Sequence, residues 1–203
     1  MRASRCRIPF AFVVFSLLCF ASLQGQAQDI PREQLAATLA SGGHVIVMRH
    51  ANSPRELPDA NTVNADNVSG ERQLDDSGRR DALAMGEALR RLGIPVSEVL
   101  SSPTYRAMET VRLLGFTATP VEQLGNEGMR AAGEAWSAWL QAEVARAVSG
   151  GNRLLVTHGP NLSAAFPEYS RNMGEGEAFI FAPGGSQGPR LVHRIRIEDW
   201  TGL

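Results

Sequence analysis

The chain has 203 residues, 43% of them hydrophobic and 20% charged, a balance that suits one globular domain with a substantial core and speaks against disorder or repeats. All of its 20 basic residues are arginines, set against 21 acidic residues, and no basic run is present that would suit a nucleic acid. Both cysteines, Cys6 and Cys19, fall within the first 27 residues, so a chain without that segment has no disulfide, thiolate nucleophile or cysteine-bound metal.

Residues 1–27 read as a secretory signal peptide: Arg2, Arg5 and Arg7 precede the apolar run Ile8 to Phe20, and Gly25-Gln26-Ala27 supplies small residues at a cleavage site. The run is shorter than the roughly 20 residues of a membrane-spanning helix, and Leu18 before Cys19 argues against lipid modification. The expectation is cleavage after Ala27, a periplasmic or secreted product without a stable membrane anchor, and one domain over 28–203. Loss of three arginines takes the net charge from −1 to about −4, so any cationic site must be local.

Pro31 to Ser41 predicts a short helix stopped by Gly42-Gly43, and His44 to Met48 a buried strand running into Arg49-His50. Residues 51–73 form a polar connection longer than the roughly 12–15 residues at which loops become functional or disordered, and read as a lid or substrate loop. Ala82, Met85, Gly86, Leu89 and Leu92 recur at helical spacing after Ser77, with Asp75-Asp76 as its cap and Gly93 as its end. Arg79, Arg80, Arg90 and Arg91 read as its solvated face. Glu98 to Leu100 is a strand, and Ser102 with Pro103 starts a helix carrying Arg106 and the stripe Ala107, Val111, Leu114. A long helix spans about 127–148, with Trp136, Leu140 and Val144 on one side and Trp136 and Trp139 assigned to the core. Leu154 to Val156 is a second buried strand, ending in Thr157-His158-Gly159 before a helical turn at Pro160. Ala178 to Phe181 and Leu191 to Ile197 close the chain as a hairpin or edge pair around Pro183 to Gly185. The alternation predicts an α/β fold, three layers α/β/α with a mostly parallel sheet.

Ligands of open α/β sheets sit beyond the carboxyl ends of the strands, where three separate junctions supply Arg49-His50, Arg106 and His158-Gly159. Arginine forks match phosphate oxygens in two bonds. Met48-Arg-His-Ala51, Leu74-Asp-Asp-Ser-Gly78, Ser101-Ser-Pro-Thr-Tyr-Arg106 and Thr157-His-Gly159 stand in the order and spacing of the histidine phosphatase superfamily, so the chain resembles a small exported, phosphoglycerate mutase-like member. The resemblance covers nearly all of 28–203 and implies a phosphohistidine intermediate on His50, with Arg49, Arg106 and His158 holding the phosphate and with neither metal nor cofactor. Ala51 departs from the family's usual glycine.

The resemblance leaves the general acid open, because Gly159-Pro160 follow His158 where one branch places aspartate. Glu127, at the start of the long helix and where the mutase-like branch often has glutamate, is the first candidate, and Glu175 and Glu177 are the next. Asn52 and Arg55 are expected to add substrate contacts, with Gly159 beside them. His44 and His193 read as structural. The resulting expectation is a phosphomonoesterase for a phosphorylated small molecule or envelope glycan, the latter because short exported relatives act on phosphorylated envelope sugars. The alternative is a phosphate-binding protein without turnover, supported by Ala51 and the missing acid.

Overall fold

The computed structural model describes residues 30–125, 129–184 and 188–203; the expected signal peptide, Glu127 and Gly185 lie outside them. Helix α1 (Arg32–Ala40) leads into β1 (Val45–Arg49), α2 (Asp76–Arg91), β2 (Val96–Ser101), α3 (Tyr105–Leu114) and the two-residue β3 (Thr119–Pro120). Then come α4 (Met129–Ala145), β4 (Asn152–Thr157), α5 (Gly159–Ala165), β5 (Ala178–Ala182), β6 (Arg190–Ile195) and a closing 3-10 helix, Ile197–Gly202. The six strands form one sheet in the order β3-β2-β4-β1-β5-β6. The pairs β3–β2, β2–β4 and β4–β1 are parallel, whereas β1–β5 and β5–β6 are antiparallel. Strand β5 alone therefore runs against the others.

The apolar runs build a two-sided core because side chains alternate across a strand. Ile46, Met48, Leu154, Val156 and Ile180 pack with α1, α2, α3 and the final 3-10 helix. Val45, Val47, Leu155, Phe179 and Phe181 pack with Leu140 and Val144 of α4 and Leu162 and Ala165 of α5. Val45 to Met48 are all wholly buried, each worth on the order of 1.5–3 kcal/mol relative to exposure. The expected three layers are present, with β1 and β4 at the centre.

The details amend several expectations. Trp136 is only half-buried, Trp139 packs against the core from its edge as expected, and the wholly buried tryptophan is Trp200 in the closing 3-10 helix. Helix α3 begins two residues after the expected start: its N-cap is Thr104, because the Ser102 hydroxyl turns toward His158, 2.8 Å away, while accepting from the Thr104 amide at 3.2 Å. Arg79 is not simply solvated, since it pairs with buried Glu109 at 2.6 Å. His44 and His193 are structural as expected, each with a ring nitrogen at a main-chain carbonyl, Gly42 at 3.0 Å and Ile30 at 2.9 Å.

The connection after β1 is pinned at both ends. Asp75 caps α2 by accepting from the Gly78 amide at 2.7 Å. The Asp75 amide in turn donates to the Asn52 carbonyl at 3.2 Å. Gly78 permits this approach: a Cβ there would stand 2.3 Å from the Asn52 carbonyl oxygen.

Candidate active site

Register alone brings the two expected histidines together. Arg49 pairs with Thr157 across β1 and β4, and the His50 amide donates to the Thr157 carbonyl at 3.0 Å. His50 and His158 thus leave neighbouring strands at the same level, with ring centroids 5.2 Å apart and planes at 68°. Strand β2 lies on the far side of β4, and its junction with α3 delivers Arg106 to the same point. All three side chains are buried, with 3%, 2% and 6% exposure respectively.

Arg106 bridges the rings. Its Nε donates to His50 Nε2 and its Nη2 to His158 Nδ1, each at 3.1 Å. A guanidinium has no acceptor capacity, so both of these ring nitrogens carry bare lone pairs. The tautomers follow: His50 Nδ1–H donates to the Ala51 carbonyl at 2.8 Å, and His158 Nε2–H donates to Ser102 Oγ at 2.8 Å. Burial, then Arg106, lowers the pKa of both rings, His50 to about 3 and His158 to about 2. Arg49 contributes less to His50 than burial or Arg106 does. Two neutral imidazoles in a cationic setting result.

The segment before β5 supplies the acidic wall. The Arg49 amide donates to the Glu177 carbonyl and the Gly176 amide to the His50 carbonyl, at 3.1 and 3.0 Å. This places Glu175 in a salt bridge with Arg49, its Oε2 3.8 Å from His50 Nδ1. Burial raises the Glu175 pKa against the opposing pull of Arg49. Arg49 Nε and Glu175 Oε2 are buried with no hydrogen-bond partner among the described residues. Glu177 is a strut, its carboxylate taken by the Gly174 amide at 2.8 Å and by Arg194 at 2.6 Å.

A cavity of about 310 Å³ opens over this centre, lined by Arg49, His50, Arg55, Arg72, Arg106, His158, Gly159, Pro160 and Glu175. Of the expected substrate contacts, Arg55 and Gly159 line it. Asn52 does not: its amide is committed to Asp75 Oδ2 at 2.6 Å and Ser77 Oγ at 3.3 Å, so it joins the loop to the start of α2. Ala51 is wholly buried in the core cluster under α2 and α3. Its amide donates to Thr110 Oγ1 at 3.1 Å. Asn172 alone among the described non-glycine residues has positive φ, so alanine at 51 carries no backbone strain.

Arg72 and Ser102 were missed by sequence reasoning. Arg72 stands beside the Leu74 to Gly78 motif but 22 positions from His50, and only the folded loop brings it to the cavity. Ser102 was legible as a polar residue after β2, and was assigned to capping instead. Among the described residues no group of three or more His, Cys, Asp or Glu side chains is placed to hold a metal ion.

Residues 45–130 match the model of the histidine phosphatase superfamily (branch 1). The fold resembles the protein histidine phosphatase SixA complexed with tungstate, with 19% identity, coverage of 76% of this chain and 97% of that one, and a TM-score of 0.54. It also resembles a putative phosphohistidine phosphatase SixA from Nakamurella multipartitia, at 20% identity, 75% and 95% coverage and a TM-score of 0.51. A phosphoserine phosphatase mutant from Entamoeba histolytica in complex with phosphoserine gives 12% identity, 76% and 98% coverage and a TM-score of 0.52. At these identities the likenesses establish the fold. No curated protein matches the sequence significantly.

Proposed function

We propose that this chain, which belongs to the histidine phosphatase superfamily, is an exported phosphomonoesterase that passes a phosphoryl group from a phosphorylated small molecule or envelope sugar to His50 and then to water. The observation that carries the reading is the Arg106 bridge, which sets a bare Nε2 on a buried neutral His50 at the floor of an arginine-lined cavity. Such a nitrogen is a nucleophile at ordinary pH.

In the forward step the Nε2 lone pair forms the bond to phosphorus as the ester P–O bond breaks. An entering phosphoryl group takes over the N–H groups of Arg106 as its own ligands, which uncovers Nε2. Arg49 and Arg106 then stabilise the charge spread over the equatorial oxygens. The Ala51 carbonyl holds Nδ1–H and stabilises the imidazolium-like ring of the phosphoenzyme. Glu175, the carboxyl that lines the cavity, gives its proton to the leaving oxygen. Water then attacks the phosphohistidine while Glu175 takes the proton back, the P–N bond breaks, and inorganic phosphate leaves.

Phosphate binding without turnover is the less favoured reading. Its two supports were Ala51, whose methyl lies in the core, and the lack of an acid, which Glu175 supplies. Rapid quench with labelled aryl phosphate tests the mechanism: the expected product is an acid-labile, alkali-stable label on His50, absent from His50→Ala. Turnover by His50→Ala at near-native rate, or label on Ser53 or Ser101, overturns it. Export is supported by the composition of residues 1–27 alone.

A further inference from the structure

Four arginines line the cavity, and they come from two places. Arg49 and Arg106 stand at the strand ends with the histidines. Arg55 and Arg72 belong to the connection between β1 and α2 and form a separate wall. We propose that this second wall, Arg72 with Arg55, is a subsite for a further anionic group of the substrate, so that the preferred substrates are phosphomonoesters bearing a second phosphate or a carboxylate. The proposal rests on the phosphatase reading and narrows its substrate class.

Arg72 is built into position. Its Nε donates to the Pro54 carbonyl at 2.5 Å and its Nη2 to the Ser53 carbonyl at 2.6 Å, so the guanidinium is held before any ligand arrives and loses little freedom on binding one. The two carbonyls neutralise none of its charge. Other arginines of the fold, such as Arg79, Arg112, Arg146, Arg153 and Arg194, are within ion-pair distance of carboxylates, whereas no carboxylate among the described residues lies within that distance of Arg72. Its charge nevertheless acts on His50, His158 and Glu175, so it lies close to the reaction centre without touching it.

Charge balance points the same way. The histidines add no charge to the wall, and Glu175 is its one carboxylate. With Glu175 paired to Arg49, that carboxylate and a phosphate dianion together balance three of the four arginines. One positive charge of the loop wall is then left over, in a chain whose net charge is −1, and a second anion on the substrate would balance it. Arginine forks accept phosphate and carboxylate alike, so the two sources share one chemistry.

The test compares phenyl phosphates that carry a meta-carboxylate, a meta-phosphonomethyl group or, as a neutral control of similar size, a meta-carboxamide. The expected kcat/KM for at least one anionic ester exceeds that of the carboxamide by about tenfold or more, and the ratio collapses to within about threefold in Arg72→Gln and in Arg55→Gln. Arg55 is exposed, so its replacement keeps the comparison meaningful even if Arg72→Gln unsettles the loop. The two anionic arms distinguish carboxylate from phosphate as the favoured partner. Equal kcat/KM for the carboxamide and both anionic esters overturns the proposal, as does a preference that survives both substitutions. If none of the esters is turned over, the phosphatase reading fails. The same comparison is then made by calorimetric binding of the three compounds to the wild type and both variants, with the same ratios expected.

Discussion

Arg106 Nε lies 3.1 Å from His50 Nε2, and that single contact fixes the tautomer of the ring, keeps its attacking nitrogen unprotonated and marks where the phosphoryl oxygens will sit. The same guanidinium reaches His158 Nδ1 at 3.1 Å. A lysine cannot hold two ring nitrogens in one plane.

Arg106→Lys should therefore cost far more than a retained positive charge suggests. The expected loss in kcat/KM for an aryl phosphate is about 10³-fold, comparable to removal of a preorganised oxyanion donor. Steady-state kinetics check it, with circular dichroism confirming that the fold is kept. A loss under tenfold would mean that the charge alone is what His50 needs.

The buried histidines should also set the acid stability of the fold. Their pKa values stand at about 3 and about 2 against 6.5 unfolded. Below pH 6.5 the unfolded chain therefore binds more protons than the folded one. The stability that they confer is present above pH 6.5 and is lost as pH falls, by about 1.4 kcal/mol per pH unit for each histidine. Glu175 acts in the opposite sense above its unfolded value of 4.5, because its folded value is raised. Denaturant titrations between pH 6.5 and 4.5 should show a shallower slope in His158→Asn and a steeper one in Glu175→Gln.

Glu175→Gln should separate substrates by their leaving groups. Aryl phosphates depart without much help, whereas alkyl phosphates need the proton, so the expected loss is about 10²-fold or more for an alkyl ester and clearly smaller for an aryl one. An equal loss on both would assign Glu175 to holding Arg49 instead.

Gly78→Ala should destabilise the protein by about 2 kcal/mol or more, since the added methyl overlaps backbone that helix α2 and the nucleophile loop both fix. Thermal denaturation reads the effect. The geometry behind it is the 2.3 Å approach to the Asn52 carbonyl oxygen, two residues from His50, so activity should fall with stability.

Export should remove residues 1–27. Mass spectrometry of the protein recovered outside the cytoplasm is expected to find Gln28 at the amino terminus. An intact Met1 on the exported form would sink the expectation.

Much of this site was legible in the sequence because its core residues sit where strands stop. Continuous apolar runs betray β1 and β4, and the first polar residues after them are the chemical ones, His50 and His158. The contributions of Arg72 and Ser102, and the choice of Glu175 among the candidate acids, depend on how connections travel through space, and no local pattern encodes that path. Asn52 shows the converse: it stands beside the nucleophile in sequence, yet its amide is used to seat helix α2. The two-residue β3 is too short to leave any period, and Trp200 is buried by a 3-10 turn that packs late in the chain.

The reversed direction of β5 has a consequence for how such an enzyme could be retuned. An antiparallel strand begins where its parallel neighbours finish, so the segment entering β5 reaches the reaction centre directly, without a helix to carry it across the sheet. The proposed proton donor, Glu175, thus hangs on a connection between α5 and β5, while the proposed nucleophile, His50, and Arg106 are anchored in the interior. Replacement of Glu175 by other proton-donating residues, with the main-chain bonds of Gly176 and Glu177 to His50 and Arg49 kept, is then the change expected to alter leaving-group preference.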